Sequence, residues 1–302
     1  MADRGCHKHL SAWPLCSRAG TWALWFLTAL GALGTTSAPA LASEPTLYFG
    51  VLNQRSIALT AQYWNPILQY VSQQSGVQLQ LKVGKTAPET TAMTLRGEFA
   101  FAFTNHLFTP ERVRLGYRVI ARPNSPGIQT LIVVPDDSPL QTLADLNGRR
   151  MAYPSREAFL GYAVPGDALR RARVETTATF AGNQEGAMAQ LQAKAVDAAA
   201  VNSQVLENYA RRENFHYRVL WRSEPYQDLP IMANPAVPKA RVEAVRGAFI
   251  GMAADPAGRK ILEAGAALLK LTGPLGFVSA ENSDYANYIE FYRQATPAVK
   301  DK

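Results

Sequence analysis

Residues 127–165 read GIQTLIVVPDDSPLQTLADLNGRRMAYPSREAFLGYAVP, and the order of signals in this stretch predicts strand, crossing loop, short helix, second strand and helix. Thr130-Leu131-Ile132-Val133-Val134 is an apolar run rich in β-branched residues and closed by Pro135, the pattern of a buried strand. Asp136-Asp137-Ser138-Pro139 supplies a polar cap followed by proline, and Asn147-Gly148 ends the short helix that this cap opens. Residues 149–153 are extended again until Pro154 stops them. From Ser155 onward Glu157, Ala158, Phe159 and Leu160 favour a helix, whose free N–H groups face the crevice at the strand's carboxyl end and suit an anion.

Upstream, residues 46–52 (TLYFGVL), 77–83 and 99–103 read as strands, each followed by a polar loop: Asn53-Gln54-Arg55-Ser56, then Gly84-Lys85-Thr86-Ala87-Pro88, then Thr104-Asn105-His106. Parallel strands place such loops on one edge of a sheet. Asn65-Pro66 suggests a helix start, with Ile67, Tyr70 and Val71 at helical spacing up to Gly76. Downstream, 176–180, 196–201 and 217–221 read as further strands, 225–230 as a second crossing loop, and Val242, Val245, Phe249 and Met252 as one face of a helix. Asp255-Pro256 caps another helix. Strand and helix signals alternate, which predicts an α/β architecture with mainly parallel strands.

Composition limits the setting. The chain has 302 residues and a net charge of +7. Arg4, Lys8 and Arg18 precede an uncharged apolar run over 22–34, and Ala40-Leu41-Ala42 is a small-x-small cleavage signal, so 1–42 reads as a secretory leader. Both cysteines, Cys6 and Cys16, fall inside it, which leaves the mature chain without disulfides or thiolate sites. The basic pairs Arg170-Arg171 and Arg211-Arg212 are too short and scattered for a nucleic-acid footprint. His106 and His216, the histidines beyond the leader, lack metal-ligand spacing, so His106 is expected to make a loop hydrogen bond and no metal is expected. No nucleophile elbow, phosphate-cradling glycine loop, HExxH or dinucleotide fingerprint occurs, so no catalytic residue and no cofactor is expected.

Five segments in this order, SPGIQTLIVVPDDSPLQTLADLNGRRMAYP (125–154), GYAVP (161–165), AVDAAAVNSQVL (195–206), LWRSEP (220–225) and DPAGRKIL (255–262), resemble the type II periplasmic binding proteins of ABC importers, in their phosphate/phosphite/phosphonate-binding branch. The resemblance implies a two-lobed Venus-flytrap fold with interleaved lobes and two hinge crossings: lobe 1 over 43–134 and 223–302, lobe 2 over 135–222. It implies a monomeric periplasmic protein that encloses a small polar solute or oxyanion and presents it to an ABC permease or, as the alternative, to the sensor domain of a membrane histidine kinase. The expected ligand residues are Asn53, Arg55, Lys85, Thr86, Thr104 and Asn105 from the first lobe, and Ser155, Arg156, Glu157, Ala158, Gln184, Glu185 and Asn202 from the second. Several depart from the family pattern. Lys85-Thr86-Ala87 stands for an acidic-aromatic pair, Ala158-Phe159-Leu160 for a hydroxyl-rich helix start, Gln184 for a histidine and Asn202 for an aspartate, which implies a changed ligand specificity.

Overall fold

The computed structural model describes residues 46–295, so the leader, its cleavage signal and both cysteines lie outside the described residues. The chain enters as β1 (Leu47–Val51), leaves through α1 (Ile57–Ser75) and returns as β2 (Leu79–Lys82). It goes out again through α2 (Ala87–Leu95) to β3 (Phe101–Phe103), then takes a short turn, α3 (Pro110–Val113), into β4 (Arg118–Pro123). β1 pairs in parallel with both β2 and β3, so the three polar loops do share one edge.

Helix α1 begins earlier than Asn65-Pro66 suggests. Ser56 is its N-cap, accepting from Leu59 N at 3.3 Å, and Pro66 sits inside the helix. An interior proline forfeits one helical hydrogen bond, at roughly 3 kcal/mol. Burial of Trp64, Ile67, Leu68, Tyr70 and Val71 on one side of the same helix offsets that loss.

The second sheet takes β5 (Thr130–Pro135), β6 (Arg150–Tyr153), β7 (Thr177–Phe180), β8 (Ala198–Asn202) and β9 (Tyr217–Arg222) in the order β7-β6-β8-β5-β9. Helices α4 (Val164–Arg171), α5 (Gln184–Gln192) and α6 (Ser203–Glu213) connect them. Strand β5 closes the 43–134 segment assigned to the first lobe, yet it is hydrogen-bonded to β8 and β9. The first connection between sheets is therefore residues 124–129, not the loop after Val134. Thr130 to Val134 are all buried, and a strand buried on both faces is satisfied only by neighbours on either side. The short helix expected after Pro139 shrinks to one 3₁₀ turn, Ala144–Leu146, with Asp145 accepting from Gln141 N and Thr142 N at 2.8 Å each.

After residues 225–230 the chain rejoins the first sheet as β10 (Ile231–Ala233), then runs through α7 (Lys239–Gly251) and α8 (Pro256–Leu269) to β11 (Phe277–Ser279) and α9 (Ala286–Gln294). The first sheet is ordered β11-β4-β10-β3-β1-β2. Of the strand pairings, β1 with β2, β1 with β3, β6 with β7 and β6 with β8 are parallel, and those made by β5, β10 and β11 are antiparallel. The mainly parallel expectation fails for a topological reason. A strand that has just crossed starts at the facing edge and must run away from it, as the pairings of Thr130 with Asn202 and Ile231 with Phe103 show.

The helix face expected of α7 is confirmed, with Val242, Val245, Phe249 and Met252 all buried, and Asp255 caps α8 through Gly258 N at 2.8 Å. Helix α9 and the turn before it strap the second connection. The Tyr285 and Tyr288 hydroxyls donate to the backbone carbonyls of Asp228 and Gln227 at 2.6 Å each, and Phe159 from the second half stacks on Tyr288 with centroids 4.3 Å apart.

Candidate functional site

The wall contributed by the first sheet is a closed hydrogen-bond network. Asn53 donates through Nδ2 to Gly84 O at 2.9 Å and accepts at Oδ1 from Thr90 Oγ1 at 2.5 Å. Thr90 Oγ1 in turn accepts from Gly84 N at 2.8 Å. Gly84 is required, because a Cβ there would lie 2.8 Å from the backbone nitrogen of Thr90. His106 Nδ1 lies 2.8 Å from Thr91 Oγ1, whose single proton goes to Ala87 O at 2.9 Å. Both contacts are satisfied together when the ring nitrogen is the donor and Nε2 carries the lone pair. Burial, with Arg112 second, pushes the imidazole pKa down to about 3, so the ring is neutral at physiological pH.

The wall from the second sheet is built on an irregular helix start. Residues 155–158 form a turn closed by Ala158 N to Ser155 O at 3.3 Å, and the helix begins only at Phe159, as a π-turn over Phe159–Ala163. Tyr162 N and Ala163 N both donate to Ala158 O, at 2.9 and 3.0 Å. The first N–H groups of the helix itself, which have no intrahelical acceptors, are those of Phe159, Leu160 and Gly161, while Ala158 N is taken up by the turn. Gly161 is obligatory: a Cβ would meet Pro154 Cγ at 2.6 Å and Gln184 Nε2 at 3.2 Å. Gln184 Oε1 accepts from Asn202 N at 3.0 Å, and Asn202 Oδ1 caps α6 through Gln204 N and Val205 N at 2.9 and 3.3 Å. Both amides thus use their oxygens and keep their NH₂ groups. Ser155, 2% exposed, has a hydroxyl with no partner among the described residues.

The walls touch directly. Glu185 N donates to Gln54 O and Ala87 N to Gly182 O, each at 3.1 Å. Glu185 Oε1 lies 2.7 Å from an Arg212 nitrogen and 4.0 Å from Arg55 Nε. Between the walls is a cavity of about 20 Å³, room for about one water molecule. Of the expected ligand residues, Asn53, Asn105, Ser155, Ala158, Gln184 and Asn202 line it, and Gln54, His106, Phe159, Leu160 and Leu229 join them.

The remaining expected residues do not line this cavity. Thr104 Oγ1 accepts from His106 N at 3.1 Å, and Thr86 is the N-cap of α2. Lys85 is exposed, where its ammonium keeps its hydration, and Arg156 lies over the Phe180 ring at 4.5 Å. Glu157 Oε2 is shielded without a partner among the described residues, while Arg55 and Glu185 face each other across the gap. The loop hydrogen bond expected of His106 is the one to Thr91. Its place in the cavity lining was signalled only by the polar run at the end of β3, and nothing in a helix-forming segment distinguishes Phe159 as a wall residue.

Among the described residues no group of His, Cys, Asp and Glu is placed to hold a metal ion, and no helix is long and apolar enough to cross a membrane. Residues 49–285 match the family described as the periplasmic substrate-binding protein of phosphonate ABC transporters. No curated protein matches the chain. Among solved structures it is similar to a binding protein component of an ABC phosphonate transporter from Pseudomonas aeruginosa, at 19% identity and a TM-score of 0.71 over 82% of this chain and 85% of that one. PhnD1 from Prochlorococcus marinus, in complex with methylphosphonate, matches at 19% identity and a TM-score of 0.71 over 82% and 97%. XAC2383 from Xanthomonas citri, bound to chloride ion, matches at 16% identity and a TM-score of 0.65 over 85% and 99%. At such identities the likeness shows a shared two-lobed binding-protein fold. The family match adds a binding role in place of catalysis, and the chain belongs to the periplasmic substrate-binding proteins of phosphonate ABC transporters.

Proposed function

We propose that this protein captures a small polar or oxyanionic solute between its two sheet edges and delivers it to an ABC permease. The observation that carries the reading is Ser155 Oγ, buried and without a partner in a cavity walled by both halves. A buried hydroxyl left unpaired costs about 1–3 kcal/mol, and a ligand oxygen placed there would recover that. The NH₂ groups of Gln184 and Asn202 and the N–H groups at the π-turn start are donors too, so the ligand is expected to present several acceptor oxygens. PhnD1 is bound to methylphosphonate, which makes that compound the first probe. No Lys or Arg lines the cavity, so the singly charged form of a phosphonate, or a less charged solute, suits these neutral donors better than a dianion.

Residues 124–129 and 223–230 are the hinge. The walls meet with room for little more than one water, so the ligand enters when they part and favours closure by bridging both edges. Small-angle scattering with and without methylphosphonate, phosphite and phosphate tests this. The radius of gyration is expected to fall with whichever compound binds by calorimetry. Binding with no compaction by any of them would refute the clamshell mechanism.

A further inference from the structure

Behind Gln54, which borders both spaces, lies a second cavity of about 70 Å³, larger than the one in the cleft. Its walls are of two kinds. Trp64, Leu262, Leu275 and Phe277 make an apolar side, and Arg55 and Asp228 give the polar side its charge. The two charged groups are not equally provided for. Arg55 Nε is shielded from solvent and has no hydrogen-bond partner among the described residues. The carboxylate oxygen facing it, Glu185 Oε1, is 4.0 Å away and sits 2.7 Å from Arg212 instead. Asp228, by contrast, accepts from Leu229 N at 2.7 Å and is hydrogen-bonded by Ser125. A buried guanidinium edge without an acceptor is costly, because it has given up water and gained only Coulombic attraction from Glu185 and Asp228 in return.

We propose that this cavity is a binding site, separate from the cleft, for a short-chain aliphatic monocarboxylate of about the size of propionate. Its carboxylate accepts from Arg55 and its alkyl end lies against Trp64, Leu262, Leu275 and Phe277. The volume corresponds to about five waters at roughly 15 Å³ each, which suits an organic acid of two or three carbons. An inorganic oxyanion would leave the apolar side unmatched. A zwitterion would bring an ammonium to a lining whose one carboxylate, Asp228, is pushed by burial toward its neutral form.

Calorimetric titration of the purified protein with propionate, glycine and inorganic phosphate tests the assignment. Propionate is expected to bind at one site, to be weakened at least about tenfold by Arg55→Gln, and to be weakened by Leu275→Trp, which fills the apolar side. If circular dichroism shows Arg55→Gln unfolded, Leu275→Trp decides alone. Absence of propionate binding to the folded parent protein, binding unchanged in the folded variants, or binding of glycine or phosphate that is tighter than that of propionate and is weakened by Leu275→Trp would overturn the proposal. Titration of methylphosphonate into free and into propionate-saturated protein separates the two sites: failure in both counts against the cleft reading alone, and failure only in the saturated protein would overturn the separate site.

Discussion

On the wall built by the first sheet, Asn53, Thr90, Thr91 and His106 bond to one another and to nearby backbone, whereas on the facing wall Ser155 Oγ has no partner and the π-turn opens with N–H groups that lack helical acceptors. The difference separates two tasks. A network whose members satisfy one another holds its shape whether or not a ligand is present. Unsatisfied donors, held in place by packing, are the groups that gain when an acceptor arrives. The first wall is thus a mould and the second supplies the grip.

The largest expected effect falls on the anchor of the second wall. Phe159 is 1% exposed and packs on Tyr226, Tyr288, Phe291 and Tyr292, three of them from α9. Phe159→Ala is expected to cost roughly 3–5 kcal/mol in denaturant unfolding. A cost below about 1 kcal/mol would mean that the donors of this wall are not held by packing, and the contrast with the first wall would lose its basis.

The first wall is tested next, through proton linkage. His106 has a native pKa of about 3 against an ordinary 6.5. Its folded value is depressed, so the stability it contributes is whole above pH 6.5 and is lost as the pH falls toward 3, because the unfolded chain takes up a proton that the native ring refuses. The full shift is worth about 5 kcal/mol, of which roughly 3 kcal/mol falls between pH 7 and 4. Urea unfolding at pH 7, 5 and 4 is expected to show a shallower decline in His106→Gln than in the parent. Equal slopes would show that the ring is not held neutral within the network. A smaller effect, roughly 2–3 kcal/mol at neutral pH, is expected of Thr90→Val, which strands both Asn53 Oδ1 and Gly84 N. A change within experimental error would break the claim that these groups depend on one another.

The scaffold was more legible than the grip because strands and caps are written locally. Thr130 to Val134 and Asp255 have the structural parts that their neighbours in sequence imply. Strand β4, β10 and β11 were passed over, and two of them span only three residues, too short for alternation to emerge. Proline at position 66 misled because its local preference for a helix start is overridden by the burial of Trp64 and Ile67 on either side of it. Polar side chains at or just past a strand end, Asn53, Asn105, Ser155 and Asn202, are the ones that line the cavity. Residue types were uninformative for charge. Lys85 and Arg156 carry the positive charge that an anion site invites, yet one is exposed and the other lies on Phe180. Sequence does not encode which way a long flexible side chain turns when an aromatic face lies nearby.

The smallest effect on stability should accompany the largest on binding, at Ser155. Its hydroxyl has no hydrogen bond to lose, so Ser155→Ala removes a buried unsatisfied group and is expected to leave the unfolding free energy unchanged or raise it by up to about 1 kcal/mol. The same substitution deletes a donor from the cavity, so methylphosphonate affinity is expected to fall by roughly tenfold, the equivalent of one good hydrogen bond to a charged acceptor. Thr90→Val should behave in the opposite sense, with stability lost and, in protein still folded, affinity nearly kept. Measuring both quantities for both variants places the two walls on two axes. If Ser155→Ala lost stability and kept affinity, its hydroxyl would belong to the mould, and the division of labour between the two sheet edges would have to be abandoned.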